Sequence, residues 1–197
     1  MKYFIHILAA IVLAANFALA DAADDWLRVD GEIEQLMESD AFNPADALSL
    51  ATNNLLLAEN TFGATHRNTA IALYKVAWLA RQAGSHKLGN DSYTRCWKLW
   101  EEIIPSDIES LGRIHPQVAE NYRRAGVAFQ NSGMDERAKE CYLKYMEISE
   151  ALYATSPTND AYLSALYFMA EIYHYYEDTE KRDLYWDKYK TLSSEHK

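Results

Sequence analysis

The chain has 197 residues, 19 of them basic and 29 acidic, for a net charge of −10. A surface this acidic excludes nucleic acid and anionic membrane as general partners, and the length suits one domain rather than several. Two cysteines, seven glycines and four prolines leave no cysteine framework and no low-complexity linker, so the glycines and prolines are expected at helix joints.

Residues 1–20 hold one positive charge (Lys2), an apolar run interrupted by His6 and Asn16, and the small-residue ending Ala18-Leu19-Ala20. They read as a secretory signal peptide cleaved after Ala20. The alternative is an uncleaved anchor, for which the run is short of the ~20 residues that span a bilayer. The remaining chain, residues 24–197, is expected in a bacterial periplasm or outside the cell, without stable membrane insertion. Over 24–38, Trp26, Val29, Ile33 and Leu36 fall on one stripe behind a cap at Asp24 or Asp25. Asn43-Pro44 then gives an N-cap followed by proline at the first helical position, and Leu48, Ala51 and Leu55 continue that helix.

After the joint Phe62-Gly63-Ala64-Thr65-His66, a helix carries Leu73 and Ala77, then Gly84, then a second helix with Cys96, Trp97, Trp100 and Ile103. After the joint running from Leu111 through His115-Pro116 to Ala119, Val118, Tyr122, Ala125, Gly126 and Phe129 recur at three-and-four spacing. Asn131-Ser132-Gly133 supplies a turn, and Ala138, Tyr142, Tyr145 and Ile148 mark the returning helix. The final joint, Ala154 to Asn159, lacks both the glycine and the histidine of the earlier two. Residues 161–176 are apolar on nearly every side. The last helix has Leu184, Tyr185, Trp186 and Tyr189, with no polar helix beyond it, so this end is expected to meet a second copy, as a homodimer, or a partner.

The elements repeat. A shift of 49 places His66 under His115, Leu73 under Tyr122, Ala77 under Gly126 and Gly84 under Gly133. The second helices register at 45, Cys96 with Cys141 and Trp97 with Tyr142, which predicts four extra residues in the turn around Ser85–Gly89. A shift of 44 carries Tyr122 to Leu166, Gly126 to Ala170 and Tyr142 to Trp186, with Arg182 where Ala138 stood.

The order Tyr-x2-Ala-Gly-x2-Phe-x8-Ala-x3-Tyr resembles a tetratricopeptide repeat. The joints, of the form L/F-G-x-x-H-P-x-V-A, resemble the long repeats of the kinesin light chain type. The resemblance covers about residues 44–192. It implies an all-α fold, a right-handed superhelical array of antiparallel helix hairpins with one degenerate and three better repeats, and a concave groove for protein or peptide guests. In that family the groove is lined one, two, five, eight and nine places after the leading large residue of each first helix. Carried onto this chain, the lining is Tyr74, Lys75, Trp78, Arg81 and Gln82, then Arg123, Arg124, Val127, Gln130 and Asn131, then Tyr167, Phe168, Glu171, His174 and Tyr175. Four permanent cations among aromatic rings point to an acidic, aromatic or apolar guest.

No cofactor, metal site or enzyme activity is expected. His66 and His115 occupy equivalent joints, which favours a capping role over a metal role. No zinc-type His pair, Gly-x-Ser-x-Gly or phosphate loop occurs. Cys96 and Cys141, read as equivalent residues of stacked repeats, would be ~10 Å apart and so reduced, since a bridge needs Cα atoms within ~7 Å. Two function classes follow. One is an exported scaffold or adaptor that binds proteins through its groove. The other is a small-ligand-binding or accessory component of an envelope enzyme or secretion complex, using 161–176 as a pocket.

Overall fold

The computed structural model describes residues 2–39, 42–155 and 160–195, and side chains within 19–39, 42–153 and 160–194. All regular elements among them are α-helices: α1 (Lys2–Glu38), α2 (Pro44–Phe62), α3 (Arg67–Gln82), α4 (His86–Leu111), α5 (Pro116–Asn131), α6 (Asp135–Thr155), α7 (Asp160–Tyr175) and α8 (Thr179–Glu195). Successive helices pack on one another as antiparallel neighbours, α1 on α2 and α2 on α3 in the first part of the chain, and α5 on α6, α6 on α7 and α7 on α8 in the second. The chain forms two compact units, Met1–Leu99 and Trp100–Lys197, divided inside α4.

In the N-terminal unit, α1 packs on α2 through Trp26 and Ile33, both nearly inaccessible. Trp26 meets Phe62 edge-on at 5.5 Å between ring centres, and Ile33 joins Ala47, Ala51, Val76 and Leu79 in one apolar cluster. Two expectations fail here. No helix starts at Asp24 or Asp25, because α1 runs unbroken from Lys2; its alanine-rich sequence before Trp26 holds no glycine or proline to stop it. Leu36 is exposed, and the stripe ends at Ile33 and Met37. The side chains of residues 1–18, most of the expected signal peptide, lie outside the described residues. No helix among the described residues is long and apolar enough to cross a membrane. Asn43 caps α2 as expected, its Oδ1 accepting from the Ala45 amide at 3.0 Å with Pro44 in the first turn.

The α3–α4 turn corrects the repeat alignment. Gly84 and Gly133 have φ of +76° and +75°, and each lies two residues before the next helix. The two turns are equal in length, so the expected four-residue insertion at Ser85–Gly89 does not exist. A single shift of 49 then matches Gly89 to Ala138 and Tyr93 to Tyr142, all buried. Cys96 therefore corresponds to Tyr145 and Cys141 to Ser92; the two cysteines are not equivalent. Matching by residue type misled the alignment, whereas the turn backbone fixes it. The Cys96 Sγ donates to the Ala70 carbonyl at 3.2 Å. Pro105 also departs from expectation: it sits inside α4, not at a joint.

In the C-terminal unit, α5 and α6 cross where Gly126 meets Tyr142; a Cβ on Gly126 would lie 2.6 Å from the Tyr142 Cδ1. At the head of α5, His115 Nδ1 accepts from the Gln117 amide at 3.1 Å, and His66 does the same for Asn68 in the other unit. Both histidines are helix caps, as their position in the joints predicts. Of the last joint, Ala154 and Thr155 end α6 and residues 156–159 lie outside the described residues; Tyr153 and Tyr162 stack beside it at 4.3 Å. The α7–α8 turn puts Glu177 at φ +57°, where the earlier hairpins have glycine, and Asp178 caps α8 by accepting from the Lys181 amide.

Helix α8 carries its own polar side. At a shift of 44, the exposed Leu143 and the buried Met146 of α6 become Asp187 and Lys190, both exposed, whereas Ile148 keeps an apolar counterpart in the half-buried Leu192. Asp183, Lys188 and Thr191 are exposed as well. The chain end expected to lack a polar cap thus has a charged side built into its last helix, with Leu184 as the exposed apolar residue among those charges.

Candidate functional site

The groove positions of the N-terminal unit are spent on internal packing. Lys75 is 4 % exposed; its Nζ lies 2.6 Å from Asp30 Oδ1 and 3.0 Å from Glu34 Oε1, and donates to the Asp30 carbonyl. It fastens α1 to α3 and is not available to a guest. Trp78 packs on Phe42 at 5.7 Å beside the Ile33 cluster. Arg81 covers the Tyr93 ring at 4.9 Å and donates to Asn90 Oδ1. Tyr74 meets the edge of that ring at 6.0 Å.

In the C-terminal unit, two of the expected positions again turn inward. Gln130 Oε1 accepts from the Tyr142 hydroxyl at 2.6 Å, and Asn131 donates to the Val127 carbonyl at 2.8 Å. Arg123 donates through Nε and Nη2 to the two oxygens of Glu120, each at 2.7 Å. Arg124 reaches the same carboxylate at 2.6 Å. Burial alone would raise the Glu120 pKa, but the two guanidiniums outweigh it and hold the carboxyl below its usual range. The permanent cations of the expected lining are therefore matched by neighbours, and the basic wall anticipated from the sequence becomes a set of internal pairs.

What remains open is a hollow of 880 Å³ in the C-terminal unit. Its walls are the first half of α5, from Pro116 to Arg123, and the first half of α7, from Asp160 to Phe168. Tyr145, Ser149 and Leu152 of α6 and Tyr189 of α8 complete it. Phe168 is gripped by the edges of Tyr142 and Tyr145 at 5.3 and 5.7 Å, with the Arg123 guanidinium 5.6 Å over its face. Burial pushes the Tyr145 phenol up to about 12, so it faces the hollow as a neutral hydroxyl. Tyr167 is 45 % exposed and contacts Trp186 and Tyr189, each at 5.6 Å. Glu171 and His174, also expected in the groove, line a separate notch of 420 Å³ with Arg182, Asp183 and Trp186. In that notch Arg182 takes the place that the buried, small Ala138 holds in the preceding hairpin.

Of the fifteen expected groove residues, Arg123, Tyr167 and Phe168 share the hollow, and Glu171 and His174 share the notch; the other ten line neither. Glu120 and Ser164 were missed. Each lies two places before the leading large residue of its helix, and extending the helical stripe one turn back from Arg123 and Tyr167 would have reached them. Among the described residues, no three His, Cys, Asp or Glu side chains gather in a metal-binding arrangement. The Cys141 thiol is pushed up to about 12 by burial.

No protein-family model matches the chain, and no curated protein does. Among solved structures, the chain is similar to the crystal structure of BtubC (BKLC) from P. vanneervenii, with a TM-score of 0.51 and 14 % identity, covering 88 % of this chain and 74 % of that one. At this identity the likeness is one of fold alone: an all-helical array of packed hairpins, as in a helical repeat.

Proposed function

We propose that the chain is an exported helical-repeat scaffold that seats a segment of another protein in the hollow of its C-terminal unit. The observation that carries this reading is that the walls of the hollow are the first helices of two successive hairpins, α5 and α7. Helical-repeat folds present such a face to guests. Binding rather than catalysis is favoured by the sequence, which offers no nucleophile–base pair and no metal motif.

Site-specific photo-cross-linking from Ser164 in intact native cells tests the scaffold role, with Leu143 on an exposed face of α6 as control. A dominant protein adduct from Ser164 and not from Leu143 is expected. No adduct, or the same adducts from both sites, rejects the reading. Export is tested separately, by sequencing the N-terminus of the chain recovered outside the cytoplasm. Asp21 is expected first; a chain confined to the cytoplasm with residues 1–20 intact rejects export.

A second reading, a small-ligand component of an envelope complex, is supported by the size of the hollow, which falls among ordinary ligand pockets of about 300–1,000 Å³. A stoichiometric small mass retained in native mass spectrometry, with no cross-linked protein, would favour it over the first.

A further inference from the structure

The one cation lining the hollow is already engaged. Glu120 and Asp160 line it as carboxylates and Arg123 as a guanidinium held on Glu120, while Arg124, behind the lining, pairs with the same carboxylate. Arg123 and Asp160 have further interactions within the chain. A guest carboxylate that drew Arg123 to itself would replace one charge-assisted pair by another and leave Glu120 less compensated, with little net gain.

The apolar part of the wall has no such compensation. Tyr145, Tyr167, Phe168 and Tyr189 turn rings or ring edges to the space, with Leu152 and Leu163 between them. Ring surface of this kind gives contact area at low entropic cost, and ring–ring pairs add roughly 0.5–1.5 kcal/mol beyond burial. The amides of Gln130 and Asn131, which could have held a guest backbone, are turned inward.

We infer that the hollow takes an uncharged segment of a partner protein, led by a large aromatic or aliphatic side chain and held by ring packing rather than ionic attraction. This rests on the scaffold reading and names the chemistry of its guest.

The test is calorimetric titration of the full chain with three synthetic peptides of equal length. Each is built of Ser and Gly around one Trp and one Leu; one has no charged side chain, one carries added Asp, and one carries added Lys. The uncharged peptide is expected to bind most tightly, with an affinity that changes by less than about twofold between low and high salt. Tyr167→Ala is expected to weaken it by about tenfold or more. Ser164→Trp, which fills the space without removing a ring from the wall, serves the same purpose if the first variant melts early. Preference for the Asp or the Lys peptide with loss at high salt, or no binding by the uncharged peptide, overturns the inference. A Ser164 cross-link obtained alongside such a result leaves the scaffold role standing. Uncharged-peptide binding with no cellular cross-link upholds the chemistry and removes the scaffold role.

Discussion

At Gly126 the helices α5 and α6 touch through a hydrogen atom. The facing Tyr142 ring is buried and its hydroxyl is tied to Gln130, so it has nowhere to retreat from an added methyl group. Gly126→Ala is expected to cost about 1–3 kcal/mol by overpacking, readable as a lower urea midpoint with unchanged slope. Glu177 presents the opposite case. Its φ of +57° places a side chain in the left-handed region, at a cost of roughly 1–2 kcal/mol that the glycines of the other hairpin turns avoid. Glu177→Gly should therefore stabilise the chain, by roughly 0.5–1 kcal/mol once the added freedom of the unfolded glycine is counted. A thermal melt that fell instead would mean the turn has another use for that carboxylate.

Helix α1 is held by more than its apolar stripe. The buried ammonium of Lys75 bridges Asp30 and Glu34, and removing it strands a carboxylate that is itself largely buried. Lys75→Met is expected to cost about 3 kcal/mol, and adding Asp30→Asn should restore part of the loss, because the penalty lies in the unpaired charge. Paired denaturation curves for the single and double variants would check this. On α5, the two guanidiniums hold the Glu120 carboxyl below its usual range. A depressed folded-state pKa contributes stability above the unfolded value, near pH 4.3, that is lost as pH falls through the lower folded value. The melting advantage of the wild-type chain over Glu120→Gln should thus be present at neutral pH and vanish as the pH falls through the lowered folded-state value. An advantage that grew on acidification would contradict that sign.

For the molecule as a whole, the charged side of α8 bears on self-association through that helix. The exposed Leu143 and buried Met146 of α6 have Asp187 and Lys190 as counterparts on α8, and those two charges lie 3.7 Å apart. The outer side of the last helix therefore offers a next copy little to bury beyond Leu184. The double variant Asp187→Leu, Lys190→Met would join Leu184 in one apolar stripe at helical spacing. It is expected to sediment as a larger species than the natural chain at equal concentration. Dimerisation of the natural chain through α8 would show that the charged side is not a cap.

Helix content, the capping histidines, the Asn43-Pro44 start and the Gly126 crossing were all legible in the sequence. Each is decided by residues within a turn or two of one another: a side chain accepts the orphan amide two places on, or a missing Cβ admits a neighbour. Where α1 begins was not legible, because a run rich in helix formers gives no local stop. The destinations of Lys75 and Arg81 were not legible either. A cation at a groove position reads the same whether it faces a guest or a carboxylate of its own chain, and only the packing of α1 and α4 against α3 set them to internal partners. Likewise the hollow exists because the first halves of α5 and α7 stand apart over α6. That spacing is set by side chains far apart in sequence meeting in three dimensions, which no local pattern encodes.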